Sequence, residues 1–278
     1  MAEAKTDFRP ASEPSLTAEA ALGRLNGLIE ALVDPESGCP WDREQTTASL
    51  TEDLLEETCE LREALRLDQG PGVLEEGGDL AFVLVFIAYL AEKKWGFGLK
   101  DMIDAVVDKM VSRHPHVFGD VQGIADSEGV LRQWHQIKRQ TRSQGVLASV
   151  PVAMPALARC HRLSAKAARA GFDWREVAAV REALDRELIE LDAEIAQGDF
   201  KNPLRQARLR HELGDTLMAT ANLARHLGFS GEKALDEAND RFVSRFSYME
   251  KKLAEDNLKP EDVSSQELER LWQEAKRV

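Results

Sequence analysis

The chain has 278 residues, 43% of them hydrophobic, with a formal net charge of −13 and a pI of about 5.1. That much apolar material supports real cores and excludes wholesale disorder, and the length leaves room for two domains of ordinary size. The acid excess repels a nucleic-acid duplex, so no general nucleic-acid role is expected. A small anion can still bind where metal ions or local Arg and Lys offset the carboxylates.

Strand signals are nearly absent: aromatics are 6%, period-2 runs are rare, and Ala, Leu, Glu and Arg dominate. The chain therefore reads as all-α. Residues 1–15 form a polar tail with two prolines and no apolar stretch of the kind that opens a signal peptide. Helices are predicted near 17–33, 49–68, 73–94 and 99–113. Ser49-x-x-Glu52 reads as a capping box for the second, and Gly70-Pro71-Gly72 as the break before the third. The stretch 120–152 reads as a linker with a short helix around Val130–Arg142. Further helices are predicted near 153–170, 176–197, 204–227, 232–256 and 264–277. The reading is two tandem helical-bundle repeats, 16–119 and 153–278. The longest apolar run, Leu80 to Ala91, is 12 residues, against roughly 20 for a membrane span, so no membrane segment is expected. Cys39, Cys59 and Cys160 form no CxxC pair and are odd in number, which points to a reducing, cytoplasmic setting.

One constellation occurs twice. Glu57-x-x-Glu60, Glu76-x-x-Asp79 and Asp108-Lys109-x-x-x-Arg113 are followed by Glu187-x-x-Glu190, Glu212-x-x-Asp215 and Asp240-Arg241-x-x-x-Arg245. The offsets are 130 residues (57 to 187), 136 (76 to 212) and 132 (109 to 241). DKMVSRH at 108–114 nearly repeats as DRFVSRF at 240–246. A duplicated set of carboxylates followed by a duplicated basic pair suggests a metal site facing a phosphate site, built twice.

Helical periodicity says where the acids point. In the second predicted helix Leu54, Leu61 and Leu65 make the apolar stripe, with Glu57 at its edge and Glu60 one step further round. Glu56 and Glu63 fall on the wet side. In the third, Glu76 and Asp79 align with Val83, Phe86, Ile87 and Leu90, on the face that should be buried. Acids on an apolar stripe are costly unless something positive meets them. Two helices, each bringing an i,i+3 acid pair, converge four carboxylates, and such oxygen ligands suit Mg²⁺ or Mn²⁺ rather than Zn²⁺. Two plainer readings stand beside this: solvated helices that carry acids by chance, and ion pairs between the acids and Lys109 and Arg113. Lys109 and Arg113, at i,i+4, either clamp phosphate oxygens or form a solvated basic face. His114 and His116 flank Pro115 and read as a helix-ending turn rather than as ligands.

These motifs resemble the MazG family of tandem-repeat nucleoside triphosphate pyrophosphohydrolases. GCPWDREQT (38–46), EETCE (56–60), EEGGD (75–79) and RHPHVFG (113–119) are similar to blocks of the family's first half. GFDW (171–174), HELGD (211–215), NLARHLG (222–228) and ANDRF (238–242) are similar to those of its second. The resemblance implies an all-α fold, Mg²⁺ dependence, a homodimer, and hydrolysis of NTP to NMP and pyrophosphate by attack at the α-phosphorus. It places metal ligands at Glu57, Glu60, Glu76 and Asp79, and at Glu187, Glu190, Glu212 and Asp215. Of these, Glu187 and Glu190 are expected to act on the attacking water. Phosphate contacts fall on Lys109 and Arg113 and on Arg241 and Arg245. LWQEAK (271–276) is similar to a segment whose Trp and Lys approach the nucleotide, here Trp272 and Lys276. WHQIK (134–138) is similar to a linker element that brings Lys138 near a site.

There are departures from the family pattern. The first acid motif carries Gly78 where a large apolar residue is usual, with Gly77 beside it, and two glycines cost a helix roughly 1 kcal/mol each. Ala183 stands where the family often has Lys, and Arg241 where Lys is usual. Ala183 and Arg241 cut against the second half, but its uninterrupted HELGD helix with Trp272 and Lys276 nearby, against the Gly77-Gly78 weak point of the first, leads to the expectation that the second half carries most turnover. A rival reading makes one or both halves non-catalytic nucleotide or metal sensors.

Overall fold

A computed structural model describes residues 17–119 and 145–277, with Asp126 and Gly129 between them. The tail at 1–15, the helix expected around Val130–Arg142 and Lys138 lie outside the described residues. The chain divides into two compact units, Met1–Gln140 and Thr141–Val278. The described residues form helices and turns, without a strand.

The first unit holds α1 (Ala18–Leu32), the single turn α2 (Pro40–Arg43), α3 (Leu50–Arg66), α4 (Gly70–Trp95), α5 (Leu99–Arg113) and the short α6 (Pro115–Phe118). Thr17 starts α1: its Oγ1 accepts from Ala20 N at 3.1 Å and satisfies one of the helix's open donors. Ser49 does not make the expected capping box. Its backbone is already helical, and its hydroxyl donates to Gln45 Oε1 at 2.7 Å instead.

Helices α3 and α4 form an antiparallel hairpin. Lys94 Nζ reaches Thr47 Oγ1 at one end, and Gly72 lies against Ala64 at the other, where a Cβ would come within 3.2 Å of the Ala64 Cβ. Gly70-Pro71-Gly72 is thus not a break but the first turn of α4, as suits a proline with no N–H to donate. The chain reverses earlier, at Asp68, whose φ is +53°. Gly96, at φ +77°, ends α4 in the left-handed conformation a glycine adopts without strain.

The core of this unit is Ile29, Leu50, Val85 and Phe86, ringed by Leu25, Phe82, Ile87, Leu90 and others. Phe86 is fully buried, and its truncation to alanine would cost about 3–5 kcal/mol. The apolar stripe expected on α3 holds at Leu54 and Leu61, which are half-buried, but not at Leu65, which is 60% exposed while the neighbouring Ala64 is buried. Helix α5 buries no residue at all. Its Ile103, Val106, Val107, Met110 and Val111 remain exposed.

The second unit holds α7 (Ala156–Arg169), α8 (Val177–Ala196), α9 (Pro203–His226), α10 (Gly231–Glu255), a 3₁₀ turn (Pro260–Asp262) and α11 (Ser265–Ala275). Side-chain caps open three of these helices: Asn202 Oδ1 accepts from Leu204 N, Ser230 Oγ from Lys233 N and Ser264 Oγ from Glu267 N. Helices α8 and α9 pack along each other as α3 and α4 do. Helix α10 starts close on α9, with Gly231 beside Ala221. Helix α11 folds back on α10 around Met249, Leu253 and Leu271.

Cys39, Cys59 and Cys160 are all free thiols. No described helix is long and apolar enough to cross a membrane.

Candidate metal centre

In the first unit, α3 carries Glu57 and Glu60, and α4 carries Glu76 and Asp79. The hairpin brings one carboxylate oxygen from each of Glu57, Glu76 and Asp79 within 4.8 Å of one another. In the second unit, Glu187 of α8 and Glu212 and Asp215 of α9 do the same. Glu60 and Glu190 stand outside these triads, on exposed positions next to them. Glu57, Glu76 and the whole second triad are half-buried, whereas Asp79 is exposed.

Like charges held this close oppose ionisation. The Glu57 carboxyl is pushed above the usual range by burial first, and then by Asp79, Glu60, Glu76 and Glu56. Glu76 is raised by burial, by Glu60, Glu75 and Asp79, and by a hydrogen bond with Glu60. The largest charges acting on these two groups are other carboxylates. Glu187 is raised by burial and by Glu190, Asp215 and Glu212, with Arg186 acting the other way. Glu57 Oε2 is buried with no hydrogen-bond partner. An orphaned carboxylate oxygen, facing two more carboxylates across a gap, has the chemistry of a divalent-cation site: hard oxygen donors, no soft ligand, and repulsion that a cation would relieve.

The basic residues lie on other helices. Lys109 is exposed on α5 and Arg113 is half-buried at its end. His114 caps that helix, its Nδ1 lying 2.6 Å from the Met110 carbonyl oxygen, so His114 acts as the helix-ending residue. Arg241 is exposed on α10. Arg245 lies over the Trp272 ring at 5.6 Å. Lys276 is exposed, its Nζ 3.4 Å from Gln273 Oε1.

Aligned on the acids, Gly77 stands opposite Leu213 and Gly78 opposite Gly214. The missing apolar residue is therefore at Gly77, not at Gly78, which has a counterpart in the second unit. Ala183 is buried, so the position where a lysine is usual faces the interior of this unit.

One network escapes sequence reasoning. Asp173, in the loop before α8, accepts from both terminal nitrogens of Arg225, and His226 Nε2 lies 2.9 Å away. Arg225 Nε donates in turn to Asn222 Oδ1 at 2.8 Å. The Arg225 hydrogen bond holds the Asp173 carboxyl below its ordinary range. Its only sequence signal is that GFDW and NLARHLG are both among the blocks that carry the family resemblance. Nothing in their spacing of more than fifty residues says that they meet.

A model of the MazG nucleotide pyrophosphohydrolase domain matches residues 45–118, which span the first acid hairpin. Over 260 residues the chain is 39% identical to the nucleoside triphosphate pyrophosphohydrolase of Escherichia coli (strain K12), covering 92% of this chain and 97% of that one. It is 35% identical over 255 residues to the nucleoside triphosphate pyrophosphohydrolase/pyrophosphatase MazG of Thermotoga maritima, covering 91% and 94%. It is also 37% identical over 255 residues to the uncharacterized protein YabN of Bacillus subtilis, covering 91% of this chain and 51% of that one. Likeness at this level, running through both halves and both acid hairpins, means that the chain belongs to the MazG nucleotide pyrophosphohydrolase family.

Proposed function

We propose that this protein hydrolyses nucleoside triphosphates to nucleoside monophosphate and pyrophosphate, with water attacking the α-phosphorus at the acid triads of two tandem repeats, 16–119 and 153–278. The observation that carries the reading is the oxygen triad itself, built on the same hairpin in both units and self-repelling until a cation arrives. Glu57, Glu76 and Asp79, and Glu187, Glu212 and Asp215, would hold Mg²⁺ or Mn²⁺. When bound, that ion supplies charge neutralisation for the phosphates and a more acidic water.

The rest falls to the chain's own side chains. Glu190, beside the second triad but outside it, orients the attacking water and accepts its proton, with Glu187 as its neighbour one turn away. Glu60 would do the same in the first unit. Arg241 and Arg245, and Lys109 and Arg113, offset the charge that builds on the departing pyrophosphate. Trp272, Lys276 and Lys138 complete the nucleotide contacts. The three thiols stay unpaired, in keeping with a reducing, cytoplasmic setting.

The test is product analysis. NTP with Mg²⁺ should give NMP and pyrophosphate in equal amounts, and chelation should stop the reaction. Release of NDP and orthophosphate would refute the cleavage position. Tight metal and nucleotide binding without turnover would favour the sensor reading.

The same proposal includes a homodimer. Five apolar side chains exposed on one helix that buries nothing call for a partner, because a helix keeps such a face only to cover it. In the second unit Phe242 and Val243 of α10 are likewise exposed, at 57% and 61%. Sedimentation showing a monomer that remains fully active at nanomolar concentration would exclude the dimer.

A further inference from the structure

Helix α10 turns one face toward α11. Phe242, Arg245, Phe246 and Met249 share it, at i, i+3, i+4 and i+7. From α11, Trp272 meets this face. Its ring packs against the Met249–Leu253–Leu271 core, lies 5.4 Å from the Phe242 ring at a tilt of 53°, and has the Arg245 guanidinium carbon 5.6 Å from its centroid. The indole is thus engaged by the core, by an aromatic ring and by a cation.

We propose that Trp272, besides contacting the nucleotide, is a positioning residue: it holds the Arg245 guanidinium in place for the triphosphate. This rests on the reading of Arg245 as a phosphate contact. A guanidinium on a flexible side chain loses rotamer freedom when it binds an anion. An indole that already restrains it removes part of that cost.

A second device holds the indole in place. Tyr248 donates its hydroxyl to Glu274 Oε1 at 2.6 Å, a charge-assisted bond between α10 and α11. Arg270 donates to the other Glu274 oxygen at 3.0 Å, so the carboxylate is satisfied on both sides. The hydroxyl of Tyr248 therefore locks the register that sets Trp272 over Arg245. In the first unit, α5 with Lys109 and Arg113 is followed by the four residues of α6 and buries nothing. No described helix plays the part of α11 there.

The experiment separates phosphate from base. Inorganic tripolyphosphate, which has no base, is titrated calorimetrically into the full-length protein with Mg²⁺, alongside an NTP. Trp272→Leu should weaken tripolyphosphate as well as the NTP, by about three- to tenfold, and Trp272→Phe should recover part of the loss. Tyr248→Phe leaves the core residues in place and should weaken both by about twofold, which guards against a misfolded Trp272→Leu. If Trp272→Leu weakens the NTP alone and leaves tripolyphosphate untouched, the ring serves the base and the proposal is overturned. If Arg245→Ala itself leaves tripolyphosphate binding unchanged, the phosphate role of Arg245 fails first, and the proposal with it.

Discussion

The two acid hairpins share a triad and differ in what surrounds it. Beside Glu57 the first unit has Glu56, where the second has Arg186 beside Glu187. Beside Glu76 it has Glu75, where the second has His211 beside Glu212. The consequences are visible. Glu56 and Glu75 add to the repulsion in the first triad. Arg186 relieves it in the second, and His211 Nε2 lies 3.4 Å from Asp215. Identical donors thus sit in fields of the same sign that differ in degree. An all-acid surround favours a cation but repels a polyanion, while a mixed one tolerates both. The second unit also has helix α11 latched over its basic helix, and an acid helix with Leu213 where the first has Gly77. All three differences favour the second unit as the main site of turnover.

The largest expected effect is metal removal. Chelation should abolish hydrolysis by both units, and Mg²⁺ should restore it. Activity that persists in excess EDTA would dissolve the comparison, because neither triad would then matter. Next comes the division of labour. Asp215→Asn should cut pyrophosphate release by 100-fold or more, a loss of several kcal/mol in transition-state stabilisation. Asp79→Asn should leave much of the rate. If Asp79→Asn is the inactive variant, the assignment is reversed.

The glycine argument can be tested on its own. Gly77→Leu gives the first acid helix the residue that the second has. A Cβ at Gly77 meets only Leu61 Cδ1, at 3.9 Å, so the change should stabilise the protein by about 1 kcal/mol, read as a higher urea midpoint. A fall in the midpoint would show that the backbone at Gly77 is needed bare.

The surrounding charge gives a smaller effect with a distinctive dependence. Arg186→Glu should lower kcat/KM a few-fold at low ionic strength, and the loss should shrink as salt screens it. A loss independent of salt would make Arg186 a direct contact instead. The smallest effect is on stability. Glu187 is raised in the folded state, so the folded protein holds its proton more tightly than the unfolded chain. Its contribution therefore turns unfavourable as pH rises from the ordinary carboxylate value through the raised folded one. Without metal, Glu187→Gln should be the more heat-stable protein at neutral pH, by on the order of a degree or two, and the advantage should vanish below pH 4. Added Mg²⁺ should reverse the order, because it stabilises only the ionised carboxylate. If wild type is the more stable without metal, the triad is not under repulsion.

The amino-acid sequence by itself settled the fold class and the addresses of the acid pairs. Helical period and composition suffice for an all-α chain, because each helix is a local structure with a local signal. The acid pairs were legible because i,i+3 spacing fixes which side chains share a face, and because the pattern recurs in order. What it did not settle depends on contacts between distant residues. Gly70-Pro71-Gly72 reads as a break, yet packing against Ala64 makes it a first turn. Ser49 reads as a cap, yet Gln45 takes its hydroxyl. Four acids were expected to converge; three in each unit bring oxygens within 4.8 Å of one another, and Glu60 meets Glu76 through a hydrogen bond. The Asp173–Arg225–His226 network and the Trp272–Arg245 stack join elements whose separation follows no period. Periodicity reports direction around one helix axis. Only tertiary packing decides which axis lies alongside, and hence which charges meet.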